Sequence, residues 1–204
     1  MTRTVAVVTA GLSQPSSTRL LADRLADAVT AQLAERGEDT LVEVVELRTL
    51  AHALADNLLT GFPTGELEAA VRTVAEADAL VAVTPVFTAS YSGLFKTFFD
   101  VLDKDALTGK PTLVAATAGT ARHSLVLDHA LRPLFSYLHA VVVPTGVFAA
   151  TEDFGSTAAG RLQERVERAA AELSSLVSGS APRPAVRPMD PFEDVQPFEE
   201  LLGR

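Results

Sequence analysis

Three short stretches concentrate the residue types that hold a phosphate or line a flat ligand. The first reads Gly11-Leu12-Ser13-Gln14-Pro15-Ser16-Ser17-Thr18-Arg19 and precedes an apolar helical pattern. A monophosphate needs several short donors converging on one point. The free N–H groups and dipole of a helix start also favour an anion. A single Ser at this place would serve as a helix cap, which is a routine role. Four hydroxyls, from Ser13, Ser16, Ser17 and Thr18, exceed what a cap uses and point to phosphate. The stretch has neither the Gly-Lys-Ser/Thr of a triphosphate loop nor the Gly-x-Gly-x-x-Gly of a dinucleotide turn.

The second stretch, Thr84-Pro85-Val86-Phe87-Thr88-Ala89-Ser90-Tyr91-Ser92-Gly93, joins a rigid proline, two aromatics and a glycine just before a helix. It suits a flat ligand held edge-on by backbone groups, with Phe87 and Tyr91 as apolar wall; a plain turn whose aromatics cover a sheet end is the competing account. The third stretch is Thr117-Ala118-Gly119-Thr120-Ala121-Arg122-His123. Gly119 allows close backbone approach to a ligand, and Arg122 or His123 can meet a negative charge, although capping or surface placement is the stronger account of His123. His52, His129 and His139 are isolated and show no metal-ligand spacing. There is no Gly-x-Ser-x-Gly elbow, and Asp100 and Asp103 read as solvated. A phosphate anchor beside flat apolar walls, without an evident nucleophile or acid–base pair, suits a cofactor that brings its own chemistry.

These stretches must be placed by regular elements. Val5–Val8 and Ala79–Val83 are short apolar runs, as expected of parallel strands buried on both faces. Leu41–Leu47, Thr112–Ala116 and a run opening at Ala140 supply three more strands. Helical patterns fall over Leu20–Leu33, Leu50–Leu59, Glu66–Ala77, Leu94–Leu102, Ser124–Leu138 (interrupted by Pro133) and Arg161–Val177. Pro85 is expected to stop the third strand, and Gly109-Lys110-Pro111 to be a simple connector. The alternation predicts a doubly wound α/β fold, with a five-stranded parallel sheet in the flavodoxin-like order 2-1-3-4-5 and helices on both faces. In that order the ligand crevice lies outside the carboxyl ends of strands one, three and four, where the three stretches fall.

Length and composition agree with one domain over residues 1–180. A proline-rich tail over 181–204 carries Phe192, Phe198, Leu201 and Leu202 and is expected to dock or to be disordered. Cysteine is absent, so thiol catalysis and disulfides are excluded. A net charge of −9 argues against a general nucleic-acid or anionic-membrane surface. No apolar run reaches the roughly 18 residues of a membrane span, and no signal-peptide pattern opens the chain. A cytoplasmic protein is the expectation.

The order and spacing of the first stretch, the Pro85-Val86-Phe87…Ser92-Gly93-Leu94-Phe95-Lys96 block and Thr117–His123 resemble the NADPH-dependent FMN reductase family. The likeness runs over about residues 3 to 175 and is strongest toward flavin reductases that supply two-component monooxygenases. It implies FMN as cofactor and NADPH or NADH as hydride donor. By position, Ser13, Gln14, Ser16, Ser17, Thr18 and Arg19 would surround the phosphate. Pro85, Val86, Phe87 and Thr88 would follow the ribityl chain and ring, with Tyr91 close by. Thr117, Gly119, Thr120, Arg122 and His123 would border the ring. No side chain is implied as catalyst. The resemblance also implies a homodimer or homotetramer, with the Asp128–Pro133 segment at an interface in π-helical geometry. Three alternatives stand beside it: a quinone or azo reductase with tightly held FMN, a flavodoxin-like electron carrier, and a flavin-free interaction protein.

Overall fold

The computed structural model describes residues 2–155 and 159–179, and the proline-rich segment from 181 lies outside them. The chain runs β1 (Thr2–Thr9), α1 (Ser17–Glu35), β2 (Asp39–Glu46), a 3-10 turn (Leu47–Leu50), α2 (Ala51–Thr60) and α3 (Glu66–Glu76). Next come β3 (Ala79–Phe87), β4 (Ser90–Tyr91), α4 (Gly93–Val101) and β5 (Pro111–Ala118). After a 3-10 turn (Ala121–His123) follow a π-helical turn (Leu127–Leu131), α5 (Arg132–Tyr137), β6 (Val141–Val142), β7 (Val147–Ala150), a 3-10 turn (Thr151–Phe154) and α6 (Ala159–Gly179).

The sheet order is β2-β1-β3-β5-β6, with β7 also on β5 and β4 on β3. All pairings are parallel except β3–β4. This is the flavodoxin-like order. Alternation along β1 divides the core: Val5 and Val7 face α1 and α6, while Ala6 and Val8 face the layer of α2 to α5. On one side Leu21, Leu25, Val29 and Leu33 of α1 meet Leu162, Val166 and Leu173 of α6. On the other, Phe95, Phe99 and Phe135 pack with ring centroids 4.7 to 6.3 Å apart. Each fully buried side chain of this size contributes roughly 1.5–3 kcal/mol.

The sheet has seven strands rather than five, and two local causes account for the difference. The fifth position is split: Val142 pairs with Thr112 and Val147 with Ala115, so five residue steps on this side oppose three on β5 at the break. The break is hydrogen-bonded from both sides. Arg132 donates to Val143 O (3.0 Å) and Pro144 O, and Glu172 accepts from Thr145 N and Oγ1, each at 2.7 Å. The second addition is β4, the return arm of a hairpin. β3 does not stop at Pro85 but runs through it to Phe87, with Pro85 opposite Thr117. Val83 O accepts from Ala10 N at 3.0 Å, so Pro85, two residues on, turns its missing N–H toward the β1 side, beyond the last β1 partner.

The helix expected over Ser124–Leu138 is also broken up. Arg132 N–H reaches back five residues to Leu127 O, and Pro133 then sits in the first turn of α5. A proline there would clash with a carbonyl four residues earlier in a continuous α-helix, and the widened turn removes the conflict. Lys110 is no simple connector: it is fully buried, and its Nζ donates to Val74 O (2.6 Å), Ala75 O (3.0 Å) and Ala77 O (2.6 Å) at the end of α3.

Candidate functional site

The carboxyl ends of β1, β3 and β5 bring the three chemistry-bearing stretches together around a cavity of about 310 Å3. Ser13, Ser16, Ser17 and Thr18 line it from the first stretch. Pro85, Val86 and Phe87 line it from β3, and Thr117 and Gly119 from the end of β5. Leu12, Ala118 and Thr151 complete the wall and were not expected there. Thr151 starts the turn after β7, so its signal was the carboxyl end of the fifth sheet position, a loop the switch-point argument does not select.

The hydroxyl-rich end of the cavity is built by helix capping as well as by composition. Ser16 is the N-cap of α1, and its Oγ accepts from Arg19 N at 3.2 Å. The cap answers one first-turn N–H group; the remaining donors of the first turn face the helix entry. Gly11 is required by close approach, because a Cβ there would lie 2.1 Å from Ser16 Oγ. The Thr18 and Thr117 hydroxyls are buried and share a hydrogen bond of 2.8 Å, tying the start of α1 to β5.

The β3 edge is shaped by a two-residue hairpin. Val86 opposes Tyr91 and Phe87 opposes Ser90, leaving Thr88 and Ala89 as the turn, at φ +49° and +65°. Thr84 Oγ1 donates to Pro85 O (2.9 Å) and accepts from Ser92 N (3.0 Å), which folds the hairpin back onto its own strand. Ser92 caps α4, its Oγ accepting from Phe95 N at 3.1 Å. Phe87 is 46% exposed at the cavity mouth. Tyr91 packs on Phe95 at 5.9 Å between ring centroids. On the opposite wall Gly119 is exposed, and nothing lies within 4 Å of where its Cβ would be.

The other expected residues fall elsewhere. Gln14 and Arg19 line a neighbouring cavity on the β2 side of the first loop. Arg19 Nε donates to Asp23 Oδ1 at 2.7 Å, and its Nη1 donates to Glu46. The Asp23 hydrogen bond, with Glu46 behind it, raises the guanidinium pKa above its ordinary value. Thr120 caps the 3-10 turn, its Oγ1 accepting from Arg122 N at 3.4 Å, and Arg122 and His123 are exposed on that turn. Thr88 is exposed at the hairpin tip and does not line the cavity. Lys96 forms an ion pair with Asp100 at 2.7 Å. Among the described residues no group of histidines and carboxylates is placed to hold a metal ion, and no helix is long and apolar enough to cross a membrane.

The sequence matches the model of the NADPH-dependent FMN reductase family over residues 3–155. It is 38% identical to the FMN reductase (NADPH) of Pseudomonas aeruginosa over 179 residues, 86% of this chain and 92% of that one. The NADH-dependent FMN reductase SfnE of Pseudomonas putida is 39% identical over 171 residues, 81% of this chain and 89% of its own. The crystal structure of an oxidoreductase from Corynebacterium diphtheriae is 56% identical, with a TM-score of 0.86 over 88% of this chain and 99% of that one. With a family match across most of its length and relatives of this identity covered almost end to end, the chain belongs to the NADPH-dependent FMN reductases.

Proposed function

We propose that the chain is an NAD(P)H-dependent FMN reductase whose flavin lies in the cavity between the first loop, the β3 hairpin and Gly119. The observation that carries this reading is their meeting around one space: hydroxyls and a helix start at one end, a backbone edge and an aromatic along one side, and a bare glycine opposite. Those residues fit FMN. Ser13, Ser16 and Ser17, with the first-turn N–H groups of α1, would hold the phosphate. The Pro85–Phe87 edge and Gly119 would confine the ring between them.

Bound FMN would supply the hydride-accepting chemistry. The protein's part is to hold and expose it. The Thr18–Thr117 bond fixes the distance between the phosphate end and the β5 wall. The Thr84–Ser92 clip holds the hairpin against the cavity. Phe87 shields one approach from water and leaves the other open for a nicotinamide to stack. The surrounding side chains offer no general acid, and none is needed where solvent reaches the ring.

This reading includes a homodimer or homotetramer. The Leu127–Leu131 π-turn carries His129 on its exposed side, and Leu125 and Tyr137 flank it in solvent. It also includes delivery of reduced FMN to a flavin-dependent monooxygenase and a cytoplasmic location, where the reduced nicotinamide pool is found. NADPH oxidation by the purified protein, with and without added FMN, tests it. Turnover that rises and saturates with FMN is expected, and repetition with NADH ranks the two donors. Bound FMN without turnover would move the assignment to an electron carrier or to a reductase of another acceptor. No flavin binding would overturn it.

A further inference from the structure

The flavin cavity is walled by neutral groups: no Lys, Arg or His is among its lining residues. A phosphate monoester carries roughly −1.5 to −2 charge at neutral pH, and charge-assisted hydrogen bonds from a guanidinium are about twice as strong as neutral ones. A cation nevertheless stands one loop away. Arg19 is the third residue of α1, and its N–H is the group that Ser16 Oγ caps at 3.2 Å. Long side chains in a first helical turn lean toward the helix start, here toward the hydroxyl-rich loop. Ser13 and Ser16 line both the flavin cavity and the β2-side cavity that holds Arg19.

Two carboxylates keep the guanidinium on the β2 side. Asp23, one turn along α1, accepts from Arg19 Nε at 2.7 Å. Glu46 accepts from Nη1; it ends β2 and lies opposite Thr9, where β1 gives way to the loop. Both carboxylates line the β2-side cavity. Among the described residues neither side chain bonds to anything but Arg19, so holding that guanidinium is their whole contribution. Two negative charges are thus set against one positive beside the expected seat of an anion.

We propose that Glu46 and Asp23 set the flavin affinity: by holding Arg19 on the β2 side they deny its charge to the flavin phosphate and keep the flavin readily exchanged. The inference rests on the flavin reading of the first cavity. The phosphate is then held by hydroxyls and N–H groups alone. With both carboxylates neutralised, Arg19 has lost its two partners, and the phosphate is the anion available to it across the shared serines.

Titration of the flavin-free protein with FMN and with riboflavin, which lacks the phosphate, tests the proposal. The Asp23→Asn/Glu46→Gln variant should bind FMN about tenfold more tightly, the gain of one charge-assisted phosphate contact, and release it correspondingly more slowly. Its riboflavin affinity should stay within about twofold of the parent's. Adding Arg19→Ala to that pair should return FMN affinity to within about twofold of the parent, because the guanidinium is the group set free. In turnover the two-residue variant should show a lower KM for FMN, with kcat unchanged or reduced by slower flavin release. Unchanged or weakened FMN binding by that variant would overturn the proposal. So would an equal gain for riboflavin, which would mark a change of cavity shape. A gain that survives Arg19→Ala would also overturn it, assigning the effect to relief of carboxylate repulsion or to Arg48 on the same wall. Failure of the parent to bind FMN would instead remove the underlying flavin reading, and the first titration tells the two apart.

Discussion

Thr18 and Thr117 lie 99 residues apart in the chain, and their hydroxyls meet at 2.8 Å in the floor of the crevice. Both side chains are buried, so each hydroxyl relies on the other rather than on water. Thr18 belongs to the first turn of α1 and Thr117 to the last turn of sheet before Gly119. The bond therefore joins the hydroxyl-rich end of the cavity, proposed to hold the phosphate, directly to the wall against which the ring would lie.

Removing one partner leaves the other buried and unpaired. Thr18→Val should cost about 1–3 kcal/mol in denaturant unfolding, and Thr117→Val a similar amount. The double variant removes both groups together and should be less destabilised than the sum of the two. A fully additive pair would mean that the two hydroxyls do not depend on one another.

Gly119 separates the binding role of a glycine from a conformational one. Its φ is not in the left-handed region and its missing Cβ points into open space. Gly119→Val should therefore leave the unfolding midpoint near that of the parent and lower FMN affinity at least about tenfold, as a side chain fills the ligand's space. Equal losses of stability and binding would show that the glycine serves the fold. Gly11→Ala is the contrast: its Cβ would collide with Ser16, and both properties should fall.

The sheet order and the location of the crevice were legible because hydrophobic alternation and strand–helix alternation are local signals. Val5–Val8 and Ala79–Val83 advertise buried parallel strands by composition alone. The roles of Arg19 and Lys110 were not legible, because each depends on a partner far away in sequence. Arg19 sits in a phosphate-like motif, yet Glu46, 27 residues on, draws its guanidinium to the β2 side. Lys110 sits in a turn-like tripeptide, yet carbonyls 33 to 36 residues earlier enclose its ammonium. The split fifth strand was hidden for the same reason, since Arg132 and Glu172 sustain the break from two different helices.

The hairpin at the cavity mouth stores strain. A two-residue turn of this kind asks for positive φ at both central residues, a geometry suited to Asn-Gly, and here Thr88 and Ala89 adopt it. An L-residue in that region costs roughly 1–2 kcal/mol. Ala89→Gly should raise the unfolding free energy by about 1 kcal/mol, after the glycine's greater unfolded-state entropy is set against the relief. A destabilised Ala89→Gly would show that the alanine methyl makes a contact outweighing the strain.

Lys110 should be among the least replaceable residues remote from the crevice. Its ammonium is fully buried and answers three carbonyls near the end of α3. Lys110→Met keeps much of the side-chain volume and strands those carbonyls, a loss of about 3 kcal/mol or more. FMN affinity of the folded fraction should change little, because the residue lies at the end of the sheet opposite the cavity. Urea unfolding monitored beside flavin titration distinguishes the two effects, and a binding defect at unchanged stability would contradict this placement.

At that same end, Arg3 binds Glu38 and also approaches Asp78 at 3.7 Å, fastening the start of β1 to the turn after α1. The Arg3 hydrogen bond holds the Glu38 carboxyl below its ordinary value. A carboxyl depressed in the folded state releases its proton more readily there than in the unfolded chain. Its contribution is thus complete above the unfolded value of about 4.3 and is lost as pH falls through the lower folded value. Glu38→Gln should be less stable than the parent near neutral pH, with the gap narrowing steadily as the pH is lowered below about 4.3. Unfolding free energies of the two proteins across that range check the sign. A gap that widens in acid would mean that the carboxylate is destabilised by folding, contrary to its pairing with Arg3.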